Sequence, residues 1–318
     1  MIYLSSEVLR SLVSMPDAIS AVRGGFQKVS AGAIEQPMRL ALSGGSALAM
    51  LAKDRVTNNT VLKAVTIRDP QPTPGRAAVQ ALVILFDGPS GTPVAVIEGG
   101  SLTALRTGAA SGVATDLLAA PEAHILGVIG SGGQSPDQIR AVCAVRSITE
   151  VRIASRNPEH SHKLAETMSG ELNGIRFIPL NSNAEAIAGA DVICTATSAL
   201  KPLFGVEDLL ATTHINAIGA FKPEMCELPP ELFRDARVVA IDQVDAAMTE
   251  AGDLIQAIEA GCLDWKHVVE LGELLAHPVT QSPGWTVFKS VGIAAQDLEV
   301  AELAVRKAFE SGRELPEL

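Results

Sequence analysis

Aromatic residues are scarce, with two Trp, one Tyr and eight Phe making up 3 % of 318 residues. The core must then be built from Ala, Val, Leu and Ile, which suits helices packed closely on strands buried on both faces. Positive charge is short as well: 25 Lys plus Arg stand against 36 Asp plus Glu, a formal net charge of −11. That sign is wrong for a protein whose main partner is a phosphate backbone, so nucleic acid is not expected as a partner. Cysteines are few and far apart, at Cys143, Cys194, Cys226 and Cys262, with no CxxC pair. Neither a disulfide framework nor a zinc site is suggested, and buried reduced thiols are expected. The close histidine pair, His160 and His162, is two apart, a spacing that shares no helical face; it reads as a solvated surface pair, and no metal is expected. No apolar run approaches the roughly 18 residues that cross a bilayer, so no membrane partner is expected. Glu7 and Arg10 fall where a signal peptide would be apolar, and the reading is a cytoplasmic protein.

What is present is ample apolar material, 47 % of the chain against 19 % charged, which outweighs chain entropy and excludes disorder over most of its length. The length predicts two compact units. From Met1 to about Pro121 a helix beginning near Pro16-Asp17 is followed by short apolar runs separated by Gly and Pro. Val61–Ile67, Ala81–Phe86 and Pro93–Ile97 read as strands, the last two joined across the Asp87–Gly91 turn cluster, so this half predicts α+β with a mainly antiparallel sheet. From about Ala123 the rhythm becomes regular βα alternation: strands at 124–129, 151–154, 175–179, 191–195, 215–218 and 238–241, with helices from Pro136 and Pro158. That alternation predicts a doubly wound parallel sheet of Rossmann type. Gly292 to Phe309 reads as an amphipathic helix whose unit the pattern does not assign, and no internal repeat is visible.

The sharpest local signal is His124-Ile125-Leu126-Gly127-Val128-Ile129-Gly130-Ser131-Gly132-Gly133-Gln134-Ser135-Pro136-Asp137-Gln138. A buried strand runs into a glycine-rich turn and straight into a helix. Gly130 would permit the tight turn, and Gly132 would let a pyrophosphate approach backbone N–H groups. Ser135 takes the third glycine position and reads as a helix N-cap, with Pro136 in the first turn and Gln138 completing a capping box. A plain turn could carry the same glycines; the strand, turn, helix context favours dinucleotide binding. Roughly 25 residues after Gly130, where an acid would read the ribose of NAD, stand Ser155, Arg156 and Asn157. A hydroxyl, a guanidinium and an amide suit a 2′-phosphate, so NADPH is preferred, with NADH the other cofactor admitted; an ordinary surface loop is the competing reading.

Two cations fall where apolar side chains are expected. Lys63 alternates onto the face of Val61, Val65 and Ile67, and Arg106 shares a helical stripe with Leu102, Ala110 and Val113. A buried cation needs an anion, and either a carboxylate-bearing ligand or an internal acid would serve; periodicity does not choose between them. Arg39, in Gln36-Pro37-Met38-Arg39, is a third candidate.

The Gln36–Arg39 stretch, the Lys63 strand, Leu102-Thr103-Ala104-Leu105-Arg106-Thr107-Gly108-Ala109-Ala110, Gly130–Gln134, Cys194–Ser198, Ile215–Ala220, Ala251–Leu254 and Phe288–Gly292 together resemble the ornithine cyclodeaminase and mu-crystallin family of NAD(P)-dependent proteins over nearly the whole chain. The resemblance implies a homodimer. It also implies a Rossmann domain over 120–289 inserted into an α+β substrate-binding and dimerisation domain formed by 1–119 and 290–318. Arg39, Lys63 and Arg106 would line the substrate site. Thr195, Ile218, Gly219, Ala220 and Ser290 would flank the cofactor beside Gly130, Gly132, Gly133 and Gln134. Cyclodeaminases of the family carry an aspartate two residues after the glycine of the Asn-Ala-Ile-Gly stretch; here that residue is Phe221. A second acid, used there to activate water, would fall near Met50. Both losses disfavour ornithine cyclodeamination.

Gly219–Met225 looks instead like the branch that reduces cyclic ketimine carboxylates, Δ1-pyrroline-2-carboxylate and Δ1-piperideine-2-carboxylate, to L-proline and L-pipecolate. On that reading Arg106 and Arg39 grip the substrate carboxylate, Phe221 packs on its ring and Lys63 donates the proton to nitrogen, unless the iminium arrives already protonated. The alternatives are a dehydrogenase of an open-chain amino acid, such as alanine or an N-alkyl amino acid, and a ligand-binding protein like the mu-crystallins.

Overall fold

The computed structural model describes residues 1–42, 46–67, 79–279, 283–313 and 315–316. In chain order these contain β1 (Ile2–Leu4), α1 (Ser6–Leu12), α2 (Met15–Ser30), β2 (Ile34–Glu35), β3 (Leu40–Ala41), β4 (Ala47–Asp54), β5 (Thr60–Ile67), β6 (Val79–Phe86), β7 (Pro93–Glu98) and α3 (Gly99–Leu118). Then follow β8 (Ile125–Ile129), α4 (Ser135–Val145), β9 (Glu150–Ala154), α5 (Pro158–Glu171), β10 (Arg176–Leu180), α6 (Asn183–Ile187), β11 (Val192–Thr195), β12 (His214–Ala217) and β13 (Val238–Ile241). The chain closes with α7 (Val244–Glu250), α8 (Gly252–Glu259), β14 (Val268–Glu270), α9 (Leu271–Ala276), β15 (Thr286–Lys289) and α10 (Ala294–Glu310). Two compact units result, one of Met1–Arg106 with Gly292–Leu318 and one of Thr107–Val291.

In the first unit the sheet runs β1-β7-β6-β5-β4-β2 with β3 also on β4, antiparallel except where β1 lies along β7. Two serines start its first helices: Ser5 accepts from the Val8 N–H, and Ser14 with Asp17 forms a reciprocal capping box on α2. One face of β4, β5 and β6 packs against α10, which also lies on α2. The strand register places Met50, Lys63, Val83 and Ile97 in one row across β4–β7, all of them buried. Lys63 is therefore set in the middle of an apolar row, as its alternation predicted. The opposite face mixes Lys53, Thr66 and Gln80 with apolar residues, of which Leu51 and Leu82 are exposed, with Leu40 on β3 at 76 %.

The second unit is an all-parallel sheet in the order β10-β9-β8-β11-β12-β15-β13-β14. From β8 the chain winds one way to β9 and β10, then returns to β11 on the other side of β8. The order therefore reverses between β8 and β11, and a crevice opens there at the carboxyl ends of the strands, the position at which doubly wound sheets take their ligands. Strand β15 lies between β12 and β13, a position that sequence alternation did not supply.

The division between the two compact units falls at Arg106/Thr107, inside α3. The C-terminal half of that helix is tied into the second unit: Asn216 Nδ2 donates to Thr115 Oγ1 at 2.9 Å, and Arg146 Nη2 donates to the Thr115, Asp116 and Ala119 carbonyls. A Cβ on Gly108 would press on the Asp137 backbone at 2.5–2.9 Å, so small residues let α3 and the start of α4 approach. Residues 104–115 of α3 are buried all round, which explains its even apolar composition. The chain returns to the first unit at Gly292.

Candidate active site

In the first unit two cations converge on α10 and a third on the turn just before it. Lys63 Nζ pairs with both carboxylate oxygens of Asp297, at 2.8 and 2.9 Å, and lies 3.5 Å from Thr103 Oγ1. Arg106 Nε reaches Asp297 Oδ1 at 3.2 Å, and its Nη1 donates to Gln296 Oε1 at 2.6 Å. Arg39 Nη2 donates to the Gly292 carbonyl at 2.8 Å. Gly292 itself sits at φ +79°, and a Cβ there would overlap the Arg106 guanidinium, so glycine is required on both conformational and steric grounds. Lys63, Arg106 and Asp297 are 1 %, 5 % and 0 % exposed.

The anion that the sequence left undecided is thus internal, at least in part: it is Asp297. One carboxylate shared by two buried cations leaves an excess of positive charge, the electrostatic condition for accepting an anionic ligand. Burial, and next the Arg106 charge, bring the Lys63 ammonium down to about 7, with Asp297 opposing. Asp297 is the residue sequence reading missed. Its signal was present: within the 292–309 helix it stands three after Ala294 and four before Ala301, an acid on the apolar stripe.

The second unit carries a cavity of about 470 Å³ in the β8/β11 crevice. Gly130, Ser131 and Gly132 line it, with Ser155, Arg156, Asn157 and His160 after β9 and with residues 196–199 after β11. Gly130 holds φ +112°, and any Cβ would overlap the Ala196 carbonyl; Gly132 and Gly133, by contrast, have open space in front of them. Among the described residues nothing comes within 4 Å of a Cβ at 132 or 133, and Gly132 leaves its backbone open to the cavity. A glycine turn of this shape at the start of α4 fits a dinucleotide pyrophosphate. Gly130→Ala is expected to destabilise the fold by about 1–3 kcal/mol and to abolish dinucleotide binding, while Gly132→Ala leaves the melting temperature unchanged and weakens binding alone. Calorimetry with a cofactor titration reads both.

Ser135 is not the N-cap. Helix α4 starts at Ser135, Gln134 precedes it without a side-chain cap, and the Ser135 hydroxyl turns back to the Gly130 carbonyl at 2.9 Å. It closes the glycine turn instead of capping the helix, and Gln138, its expected capping-box partner, is buried with neither amide atom bonded. Ser155 Oγ donates to the Asn157 carbonyl at 2.6 Å and Asn157 caps α5 through the Glu159 N–H, so the loop after β9 is braced with Arg156 exposed at its tip. The cavity lining includes no Asp or Glu.

The remaining expected cofactor residues stand at the ends of β11, β12 and β15, and none lines this cavity. Thr195 is fully buried on Glu227, Gly219 gives its N–H to the same carboxylate, and Ser290 donates to Asp242 Oδ1 at 3.1 Å. Ile218 and Ala220 are buried, and Phe221 is half-buried just beyond. Glu227 was not anticipated, nor was the Lys289–Asp253 ion pair at 2.8 Å, whose members are both fully buried. Among the described residues no cluster of three or more His, Cys, Asp or Glu is placed to hold a metal, and no helix is long and apolar enough to cross a membrane.

A parallel doubly wound sheet with a glycine turn at its switch point, in a chain that also builds a buried cluster of cations around one acid, defines a Rossmann-type protein with provision for an anionic small molecule. The chain belongs to the ornithine cyclodeaminase/mu-crystallin family, whose model matches residues 1–312. It is 35 % identical to a Δ1-pyrroline-2-carboxylate reductase of Bacillus cereus over 320 residues, covering 98 % of each chain. Its structure is similar to that of Thermococcus litoralis Δ1-pyrroline-2-carboxylate reductase in complex with NADH and L-proline, with a TM-score of 0.94, 33 % identity and full coverage of both chains. It is also similar to an archaeal alanine dehydrogenase dimer with bound NAD, with a TM-score of 0.90, 30 % identity and coverage of 98 % and 97 %.

Proposed function

We propose that the protein is a cytoplasmic, homodimeric reductase that converts a cyclic ketimine carboxylate, Δ1-pyrroline-2-carboxylate or its six-membered homologue, to L-proline or L-pipecolate, with NADPH preferred over NADH. The observation that carries this reading is the Lys63, Arg106 and Asp297 cluster with Arg39 beside it, in a chain similar along its whole length to reductases of that name. Arg106 and Arg39 take the substrate carboxylate, supplying the forked donors that match its two oxygens, and so fix the orientation of the imine carbon. Lys63 releases a proton from Nζ to the imine nitrogen: the Nζ–H bond breaks, the ring N–H bond forms, and Asp297 stays ionised beside it. The chemistry the nicotinamide cofactor would supply when bound is the hydride for the imine carbon. Phe221, where cyclodeaminases carry an acid, offers no proton acceptor, which favours reduction over deamination.

The preference for NADPH rests on Ser155, Arg156 and Asn157 in a cavity lined by no acid. Arg156→Ala is expected to raise the KM for NADPH by about 10- to 100-fold, the worth of one or two charge-assisted hydrogen bonds, and to change the KM for NADH less than about threefold; initial rates with the two cofactors test it. The homodimer is supported by the outer face of β3, β4 and β6, where Leu40, Leu51 and Leu82 stand exposed, and by the dimer described for the archaeal relative.

The reaction is tested by following nicotinamide absorbance with NADPH and Δ1-pyrroline-2-carboxylate. L-ornithine with NAD, and pyruvate with ammonia and NADH, run in parallel. Oxidation with the imine alone supports the reading. Turnover of pyruvate and ammonia in its place would establish an open-chain amino-acid dehydrogenase, and ligand binding without turnover a mu-crystallin-like binding protein.

A further inference from the structure

Glu227 lies outside the cavity, wholly buried, and its carboxylate gathers the loop ends of two central strands. Oε1 accepts from the Thr197 N–H at 2.7 Å and the Thr197 hydroxyl at 2.8 Å; Oε2 accepts from the Gly219 N–H at 2.7 Å and the Thr195 hydroxyl at 2.9 Å. Each oxygen therefore faces one backbone N–H and one hydroxyl. A hydroxyl can rotate to become an acceptor, but a backbone N–H cannot. An ionised carboxylate satisfies both sides, whereas an amide in the same place turns its NH2 on either the Thr197 or the Gly219 N–H, whichever way it is flipped.

The surroundings hold this arrangement from behind. Asp253 Oδ1 accepts the N–H groups of Glu227 at 2.6 Å and Leu228 at 3.0 Å, and Asp253 Oδ2 pairs with Lys289 at the end of β15. Gly219 must lack a side chain, because a Cβ would overlap both the Thr197 carbonyl and Glu227 Oε1. Burial pushes the Glu227 carboxyl upward, against the donors that favour its ionised form. A fully buried acid of this kind is costly to keep unless its geometry serves something. Thr197, the residue it grips most closely, lines the cavity, and the Ala196 carbonyl one residue earlier abuts Gly130.

We infer that Glu227 is a positioning residue for the cofactor: it fixes residues 195–197 and 219 as the β11/β12 wall of the dinucleotide site, through Thr197, without touching the cofactor itself. The inference rests on the proposal that the cavity takes NAD(P)H. By the usual arrangement of a Rossmann sheet, the wall beyond β8 serves the half of the dinucleotide away from the adenine ribose loop at Ser155–Asn157. Loss of Glu227 should then separate the two halves of the ligand.

The experiment titrates Glu227→Gln and wild type with NADPH, read by nicotinamide fluorescence, and with adenosine 2′,5′-bisphosphate, read by calorimetry. The expected result is a rise of tenfold or more in the Kd for NADPH with the bisphosphate Kd within twofold. Thr195→Val, isosteric and at a residue that does not itself line the cavity, is expected to move the NADPH Kd in the same direction by about threefold, from the loss of one hydrogen bond, and serves in its own right if the Gln variant does not fold. Equal weakening of both ligands, or a lowered melting temperature with both affinities unchanged, would assign Glu227 a structural role and overturn the inference. Wild type that binds neither ligand would instead overturn the reading of the cavity.

Discussion

Arg106→Ala is expected to lower kcat/KM with the imine by about 10²- to 10⁴-fold while leaving the protein folded. The lost side chain would otherwise pair the substrate carboxylate in a nearly dry site, and removing one partner of such a pair costs about 3–5 kcal/mol, at tenfold per 1.4 kcal/mol. Stability should respond differently. Lys63 and Arg106 share a single acid, so deleting one cation relieves an excess of buried positive charge, and the melting temperature should hold or rise slightly. Arg106→Lys restores the charge without the fork and should recover only part of the activity. Steady-state kinetics beside a thermal melt separates the cases: activity lost together with the fold would remove Arg106 from substrate binding.

The second large effect is at Lys63. If Lys63 is the proton donor, the active form is the protonated one, and with a pKa of about 7 that form is lost as pH rises. kcat/KM for the wild type should be level below about 7 and fall tenfold per pH unit above it. Lys63→Met should lower kcat by about 10²- to 10⁴-fold, change KM only a few-fold because Arg106 and Arg39 remain, and erase that limb from the profile. A variant with raised KM, intact kcat and an unaltered limb would reject the donor role and leave Lys63 as a carboxylate ligand, with the iminium arriving protonated.

These effects involve residues that the sequence exposed for one physical reason: a cation on an apolar face is conspicuous in a chain with so few interruptions. Lys63 and Arg106 stood out by period 2 and period 3.6 respectively, and the glycine turn by its place between strand and helix. Asp297 answered to the same test but was passed over, because one acid within a helix rich in charges looks like its solvent face. Glu227, Asp253 and Lys289 had no local signal. Glu227 lies in an irregular segment, Asp253 in the first turn of α8 and Lys289 at a strand end, and most of their partners are 25 to 36 residues away, so only the closed sheet brings them together. Ser135 was misread for a related reason: its spacing fits a cap, but the hydroxyl found a nearer acceptor in the Gly130 carbonyl. Strand β15 arrives late in the chain and inserts between β12 and β13, an order that periodicity does not encode.

The row formed by Met50, Lys63, Val83 and Ile97 also bears on how the chain finds its fold. Hairpin strands can pair one residue out of step, and such a slip sends every side chain to the opposite face. In β5 it would turn Leu62 and Ala64, with Thr60 and Thr66, toward α10 and carry Lys63, with Val61 and Val65, outward, an exchange whose hydrophobic penalty is softened by the apolar residues the outer face also carries. Asp297 changes that balance. A slipped β5 would take from both Asp297 oxygens the Lys63 partner they hold at 2.8 and 2.9 Å, and would set an apolar side chain against the carboxylate in its place. The ion pair thus acts as a key that only one pairing of the strands can turn, and any molecule that has joined Lys63 to Asp297 has, by the same contact, verified its own register.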